Sequence, residues 1–113
     1  MRTDYTIYHP NGVREHSEHS FVDWPEDPGY VLIRNFVKPI LKGGELEHVT
    51  VLHDGKYLDM FVDDMGHSKS LPLNAEATAI YRNNARTRDP SRDPETMPRI
   101  VGVAVLFSRR VWF

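Results

Sequence analysis

The pair of residues with the clearest potential for acid–base chemistry is His48 and Asp59. The residues around them alternate between polar and apolar on either side of Asp54-Gly55, a dipeptide typical of a two-residue hairpin turn. The register that this turn imposes places His48 diagonally from Asp59 on one face of the hairpin, with Thr50 directly opposite Asp59. A general base oriented by an acid requires this proximity. An ordinary cross-strand polar pair has the same geometry, so both interpretations stay open.

A second concentration of polar residues lies in the segment FVDDMGHSKSLPLN, residues 61–74. It contains two acids, a histidine, a lysine and an amide: Asp63, Asp64, His67, Lys69 and Asn74. These side chains could line a small polar pocket, since loops on a rigid scaffold often carry binding and catalytic groups. Each residue also suits a structural role, because Asp and Gly favour turns and Asn favours the N-cap of a helix. We expect the turn and the capped helix, and keep Asp63, Asp64 and His67 as catalytic candidates.

The best candidates for metal ligands are His16 and His19, which have the spacing His-x-x-His. Neutral imidazoles on one face suit Zn or Ni, but a site needs a third ligand, for example His48, His53 or an acid. The alternative is a solvated polar segment, since isolated pairs are common. The chain has no Cys, which excludes a catalytic cysteine and thiolate metal sites. It contains no P-loop, nucleophile elbow or dinucleotide fingerprint, and we predict no cofactor.

The second half of the chain is rich in arginine. The residues that could gather at one end of the fold are Arg82, Arg86, Arg88, Arg92 and Arg99, joined by Arg109 and Arg110. With Tyr81 and Trp112 for stacking, they would resemble a surface for single-stranded nucleic acid or phosphate. Three acids, Asp89, Asp93 and Glu95, are interleaved with them and favour a solvated loop with weak ion pairs instead. Fourteen Lys and Arg against sixteen Asp and Glu give a formal charge of −2, which argues against broad DNA binding.

The chain ends in Val111-Trp112-Phe113. Three large apolar residues at a terminus indicate a segment that is tied into the fold or into a partner. Trp112 and Phe113 are therefore candidate binding residues for an unidentified protein partner.

The length and hydropathy of the chain limit its class. A chain of 113 residues fits one domain with a single core. Residues 1–10 contain no apolar signal core, and no stretch approaches the roughly 20 apolar residues of a membrane span. We therefore expect a cytoplasmic protein with no membrane partner.

These candidate residues are expected to be positioned by a single α+β domain. Periodicity predicts strands at 3–8 and 13–21, helix 29–42, hairpin 47–62, helix 74–86 and strand 100–107. The hairpin and the C-terminal strand should join one antiparallel sheet, with the two helices packed largely on one of its faces. Residues 87–98, which contain Arg-Asp-Pro twice, are expected to form a long loop.

The two faces of the hairpin differ in composition. The apolar face, which we expect to be core, carries Val49, Val51, Leu58, Met60 and Val62. The mixed face, which we expect to be solvent-exposed or a binding surface, carries His48, Thr50, Tyr57, Asp59 and Phe61. The first acid–base candidates therefore lie on the face whose role the pattern leaves open.

The segment GKYLDMFVDDMGHSKSLPLNAEATAIYRNN followed by RIVGVAVLF, about residues 55–107, resembles a family of small uncharacterised domains. That family is frequent in bacteriophages and in bacterial mobile or accessory genes. The shared pattern consists of an acidic FVDE-x-G segment, a K-x-LP-x-N segment, an AT-x-x-Y helix and a closing IVG-x-AV strand. The resemblance implies an accessory module and no specific activity. The Arg-Asp-Pro loop and the RRVWF tail depart from the pattern.

Three classes of function follow from these residues. The preferred hypothesis is a non-enzymatic module that binds a protein through an exposed surface. The first alternative is a small enzyme, with or without a metal, that uses His48, Asp59, Asp63, Asp64 or His67. The second alternative is a nucleic-acid or phosphate binder that uses the arginine-rich region 82–99.

Overall fold

The computed structural model describes residues 1–10, 17–66, 68–88, 91, 93 and 99–113. Its elements are β1 (Arg2–Tyr8), β2 (Ser17–Asp23), α1 (Gly29–Ile40), β3 (Leu46–His53), β4 (Lys56–Asp63), α2 (Ala75–Arg88) and β5 (Ala104–Phe107). The strands form one five-stranded sheet in the order β2-β1-β5-β4-β3, in which every neighbouring pair is antiparallel. The predicted α+β class, with the hairpin and the C-terminal strand in one sheet, is confirmed. No helix in the described ranges is long and apolar enough to cross a membrane.

The β3–β4 hairpin has the predicted register. His48 lies opposite Phe61 and Thr50 lies opposite Asp59. The turn residues Asp54 and Gly55 have φ angles of 52° and 78°. Positive φ at both central residues is what the common two-residue hairpin turn requires, and Asp-Gly tolerates it well. This local turn chemistry explains why the register could be read from the sequence.

The two helices lie on opposite faces of the sheet, which differs from the expectation that they pack largely on one face. On the α1 face, a cluster combines strand, helix and loop residues: Phe61, Val105, Phe107, Ile33, Val37, Leu41, Trp24, Val103 and Val111. On the α2 face, the second cluster is Val51, Leu58, Met60, Val62, Ala77, Ile100, Ala104 and Leu106. Strands β4 and β5 carry apolar residues at consecutive positions, so both of their faces need a cover.

The hairpin face that looked mixed in the sequence is largely core. Phe61 and Asp59 are fully buried on the α1 face, whereas Tyr57 near the hairpin tip is exposed. A buried carboxylate in this position requires hydrogen-bond partners, and those partners come from the C-terminal segment rather than from the hairpin alone.

The C-terminal strand is shorter than predicted. Regular pairing covers Ala104–Phe107, and Val101 makes only an isolated bridge to Leu73. Gly102 interrupts the strand with a φ angle of 77°, and a Cβ there would lie 2.7 Å from Leu71 Cδ1. The positive φ angle therefore favours glycine at this position.

Helix α2 begins where the sequence predicts. The Asn74 side-chain oxygen accepts a hydrogen bond from the amide of Ala77 at 3.1 Å, as an N-cap residue does. The helix continues to Arg88, so the predicted loop at 87–98 starts later than expected. Most of that loop, like residues 13–16 of the predicted second strand, lies outside the described residues.

Candidate functional site

The central polar group of the candidate site is the carboxylate of Asp59, whose side chain is 0% exposed. Its Oδ1 accepts a hydrogen bond from His48 Nε2 at 2.6 Å. Its Oδ2 accepts from the main-chain amides of Val111 at 2.7 Å and Trp112 at 2.9 Å. Arg110 Nε lies 3.2 Å from both oxygens. One carboxylate on β4 thus binds β3 and the C-terminal segment at once.

Burial raises the pKa of Asp59. The hydrogen bonds from His48 and from the amides of Trp112 and Val111, together with the charge of Arg110, lower this pKa by more than burial raises it. The resulting pKa lies below the ordinary value of an aspartate. The group is therefore an anion at neutral pH. Because a carboxylate only accepts, His48 must carry its donated proton on Nε2.

The imidazole of His48 lies between two aromatic rings. The Trp112 ring is stacked on it with centroids 5.0 Å apart and an interplanar angle of 14°, and the Phe61 ring lies 5.4 Å away. The side chain is 19% exposed. The predicted proximity of His48 and Asp59 is therefore confirmed, and the contact meets the geometric requirement of an oriented base. The His48 ring also holds the C-terminal segment in place, because Trp112 stacks on it.

The C-terminal aromatic surface consists of Tyr30, Trp112 and Phe113. Tyr30, in the first turn of α1, meets Trp112 edge to face at 5.8 Å. Phe113 is 74% exposed and Tyr30 is 51% exposed. Val111 is buried, as expected for a terminus that is tied into the fold. Phe113 is exposed to solvent. Of the two binding candidates, Trp112 is therefore half-buried against Tyr30 and His48, and Phe113, the next residue, is exposed.

Arg109 fixes the chain just before this surface. Its guanidinium donates to the carbonyl oxygens of Pro25 and Glu26 at 2.9 and 2.8 Å, and to Thr3 Oγ1 at 3.0 Å. Arg109 and Arg110 therefore act on the α1 side of the sheet. Arg82 belongs to α2, which packs on the other face of the sheet, so Arg109 and Arg110 do not gather with it. The positions of Arg109 and Arg110 are thus set by the oxygen atoms to which they donate hydrogen bonds.

The other arginines of the predicted set are only partly described. Arg82 and Arg99 line a cavity of about 580 Å³ beside α2. The backbones of Arg86 and Arg88 belong to α2, while Arg92 lies outside the described residues. Tyr81 packs against the cluster on the α2 face, and Trp112 stacks on His48. Tyr81 and Trp112 therefore lie on opposite faces of the sheet and do not form one stacking surface.

The polar segment 61–74 separates into two structural units. The Asp63 carboxylate accepts from Lys69 Nζ at 2.7 Å and from the Met65 amide at 2.9 Å, which closes the turn. Asn74 is turned elsewhere, because its Nδ2 donates to the carbonyl oxygens of Tyr8 and Gly102 at 2.8 Å each. Asp64 is exposed, and His67 lies outside the described residues. The structural interpretation of turn and cap therefore accounts for the described members of the segment.

The histidine pair 16 and 19 is only half described, since His16 lies outside the described residues. His19 Nδ1 is 2.8 Å from Thr6 Oγ1 on the neighbouring strand. Within the described ranges, no three His, Asp or Glu side chains come together as a metal site would require. The described geometry brings no third ligand to His19.

Sequence reasoning missed a groove of about 810 Å³ on the α2 face, where the sheet extends beyond the helix. Its lining comes from all five strands and from the β3–β4 turn, and includes Tyr8, Phe21, Asp54, Lys56 and Leu106. The one available signal was Phe21, a large aromatic residue in a mostly polar strand, and it is exposed in the structure. The neighbours that form the groove are distant in sequence, so no local pattern could assemble it.

Two features thus remain as candidate functional sites, the C-terminal aromatic surface on the α1 side and the groove on the α2 face. Both are inferred from contacts within this chain alone. Comparison with protein-family models, with curated proteins and with solved structures finds no match for this chain.

Proposed function

We propose that this protein is a non-enzymatic protein-interaction module that binds a partner protein through the C-terminal aromatic surface. The observation that carries the proposal is the hydrogen bonding of buried Asp59 to the amides of Val111 and Trp112. A segment already held in its bound conformation loses little conformational entropy when a partner arrives. Aromatic residues and arginine supply most of the energy at protein interfaces.

The surface also indicates the chemistry of the partner. Tyr30 and Phe113 offer exposed rings, which fit an apolar pocket. Arg110 contacts Asp59 through Nε alone, and 45% of its side chain is exposed. A guanidinium at the rim of an aromatic patch favours a partner with a carboxylate beside its apolar pocket.

The enzymatic alternative at His48 and Asp59 is less well supported by this geometry. Trp112 and Phe61 lie against the imidazole, and both oxygens of Asp59 are engaged by the C-terminal segment. The resemblance of residues 55–107 to phage and mobile-element domains supports an accessory role in the cytoplasm, which we include in the proposal.

The proposal is tested by capture from bacterial lysate with and without nuclease treatment, with the immobilised full chain as bait. The variants are Trp112→Ala and Phe113→Ala, and the matched control is Phe21→Ala, which removes an exposed ring on the opposite face. We expect one stoichiometric protein to be retained by the wild-type chain and by Phe21→Ala and lost with the two tail variants. Titration of the purified partner should show at least about 30-fold weaker binding for Trp112→Ala, as for an interface anchor worth about 2 kcal/mol.

Two outcomes contradict the proposal. Equal capture by wild-type chain and tail variants would remove the aromatic surface from the interface. Retained material that disappears with nuclease would instead favour the arginines of 82–99 as a nucleic-acid surface. Circular dichroism of each variant separates loss of binding from loss of folding.

A further inference from the structure

Strand β2 is one edge of the sheet, and no strand in the described ranges pairs with its outer side. Its inner side pairs with β1 along its whole length, from Asp23 opposite Arg2 to Ser17 opposite Tyr8. An unpaired edge presents main-chain amides and carbonyl oxygens to which another strand can bond. Proteins often block such an edge with proline, lysine or a bulge. The sequence of β2, SEHSFVD, contains neither proline nor lysine, and its register with β1 is continuous.

The hydrogen bonds to β1 show which main-chain groups of β2 point outward. The amino group of Met1 donates to the carbonyl oxygen of Trp24 at 2.6 Å, and the Trp24 amide donates to the carbonyl oxygen of Met1 at 2.9 Å. In an antiparallel pair, residues that exchange bonds in this way alternate with residues whose main-chain groups point away from the neighbouring strand. The amide of Val22 therefore faces β1, whereas the amides of His19 and Phe21 point outward.

An exposed aromatic ring lies at the same edge. Phe21 is 54% exposed, although the guanidinium carbon of Arg2, on the inner neighbour β1, lies 4.1 Å from its ring centroid. Phe21 also lines the groove on the α2 face, which is open beyond this ring because β2 is the last strand of the sheet. A strand added to β2 would continue the sheet, extend the groove and cover the ring.

The lining of the groove is balanced in charge. Arg2 and Lys56 are matched by Asp4 and Asp54, so the groove gives no preference for a cation or an anion. A surface with a large net charge would repel a second copy of itself, whereas a balanced one does not. The charges next to this edge are therefore compatible with self-association.

Antiparallel pairing of two β2 strands about Ser20 brings compatible side chains together. Directly opposed residues of the two copies are then Ser17 and Asp23, Glu18 and Val22, and His19 and Phe21. No two like charges oppose each other, and the exposed Phe21 ring gains the imidazole of His19 as a neighbour. The register also opposes His19 and Phe21, whose main-chain groups point outward, so these groups can exchange hydrogen bonds.

We propose that two copies of this chain associate through their β2 strands, which pair antiparallel about Ser20 and join the two sheets into one. Because the twofold axis is perpendicular to the sheet, the two α2 faces lie on the same side, and their grooves become one continuous groove. The interface lies away from the C-terminal aromatic surface, in which Trp112 stacks on His48 of β3, at the opposite edge of the sheet. The proposal does not depend on the proposed function of that surface.

The first test is sedimentation velocity of the full chain over a range of concentrations. We expect a reversible dimer with a dissociation constant on the order of 10 µM, because a contact between strand edges is a small interface. Hydrogen exchange then locates the contact. At about 1 mM protein, the amides of His19 and Phe21 should exchange about tenfold more slowly than in dilute solution. The Val22 amide, which already faces β1, should not change.

The second test uses Ser20→Glu, which places two identical carboxylates opposite each other at the twofold axis. We expect the dimer dissociation constant to rise at least about tenfold, as expected for the loss of about 1.4 kcal/mol. Mixing Ser20→Glu with Ser20→Lys should restore a dimer that contains one copy of each, because opposite charges then face each other. Ser20 is exposed, and circular dichroism checks that both variants fold.

The control variants are Glu47→Lys, which changes an exposed charge on the other edge strand β3, and Trp112→Ala, which alters the C-terminal aromatic surface. Both should dimerise as the wild-type chain does. A chain that stays monomeric at about 1 mM, a dimer insensitive to Ser20→Glu, or a mixture that restores no dimer would each overturn the proposal. A dimer lost in either control would assign the contact to another surface. None of these outcomes depends on whether a partner protein is captured from lysate.

Discussion

The two faces of the sheet differ in how completely other parts of the chain cover them. The α1 face is closed by a helix, by Trp24 and by the C-terminal segment, and Phe107 lies there among four other aromatic rings. The α2 face is closed only in part, and Phe21 stays exposed at its edge strand. A residue on the first face is expected to matter for stability. A residue on the open part of the second face is expected to be free for binding.

The carboxylates show the same contrast. Asp59 is fully buried and accepts hydrogen bonds from donors on both oxygens. Glu45 is exposed, and hydrogen bonds from Arg34 and Lys38 lower its pKa from 4.5 to about 2. Exposed ion pairs contribute little net stability because water and salt screen them. A low pKa alone therefore does not identify the carboxylate on which the fold depends.

The largest effect is expected for Phe107→Ala, because the substitution removes a ring packed against Tyr5, Trp24, Phe36 and Phe61. We expect a loss of about 4 kcal/mol in the free energy of unfolding, measured by urea denaturation. Phe21→Ala should change it by less than about 1 kcal/mol.

If Phe107→Ala does not fold, Phe107→Leu supplies a smaller loss of about 1–2 kcal/mol for the same comparison. Similar losses for a substitution at position 107 and for Phe21→Ala would show that the α2 face is closed in solution and would break the contrast.

The second effect concerns Asp59→Asn. An amide of similar shape replaces an acceptor with an NH2 group that faces other donors, so hydrogen bonds to the C-terminal segment are lost. We expect a loss of about 3 kcal/mol and faster hydrogen exchange at the amides of Val111 and Trp112. Asp4→Asn, in an exposed pair with Arg2, should cost less than about 1 kcal/mol. Unchanged exchange at Val111 and Trp112 would contradict this role of Asp59.

The third effect is the pH dependence of that contribution. The folded-state pKa of Asp59 lies below its ordinary value of 3.8, so its stabilisation is complete well above that pH. It is lost as the pH falls below 3.8 through the lowered folded-state pKa. The stability difference between the wild-type chain and Asp59→Asn should therefore shrink on acidification.

Glu45→Gln is the control for this pH dependence. Its carboxyl also titrates in acid, with a pKa of about 2, but it is exposed. The variant should keep the part of the pH dependence that belongs to Asp59. A difference between wild type and Asp59→Asn that grows on acidification would contradict the assignment.

The smallest effect compares two threonines on opposite faces of β1. Thr3 is buried on the α1 face, and its Oγ1 accepts from Arg109 Nε at 3.0 Å. Thr6 lies in the groove, bonded to exposed His19. Thr3→Val should lower the free energy of unfolding by about 1–2 kcal/mol, whereas Thr6→Val should change it by less than about 0.5 kcal/mol. Equal losses in urea denaturation would remove the difference between the faces at this strand.

Features that depend on a few neighbouring residues were predictable. Asp54-Gly55 determined the hairpin register, and Asn74 capped α2 as its position indicates. The His48–Asp59 contact followed from that register. The length of the last strand was not predicted, because residues 100–107 are almost continuously apolar, whereas regular pairing is confined to Ala104–Phe107 and Gly102 has a positive φ angle.

Features that depend on distant residues were missed. The sequence identified Trp112 and Phe113 as candidate binding residues. It did not predict that Asp59 would accept hydrogen bonds from the amides of Val111 and Trp112. It also showed Phe21 and Lys56 only as isolated surface residues, although both line the groove. These contacts join segments that are separated by tens of residues, and no period or motif encodes them.

The sequence alone therefore determined the α+β class, the hairpin with its register and the cap of α2, because turn, cap and periodicity rules act within a few residues. The tertiary structure alone decided that the helices take opposite faces, that Asp59 binds the C-terminal segment and that the α2 face keeps an open groove. Strands β4 and β5 carry apolar side chains at consecutive positions, so both faces of the sheet require cover. Which segment supplies that cover, and where it ends, depends on packing between parts of the chain that are far apart in sequence.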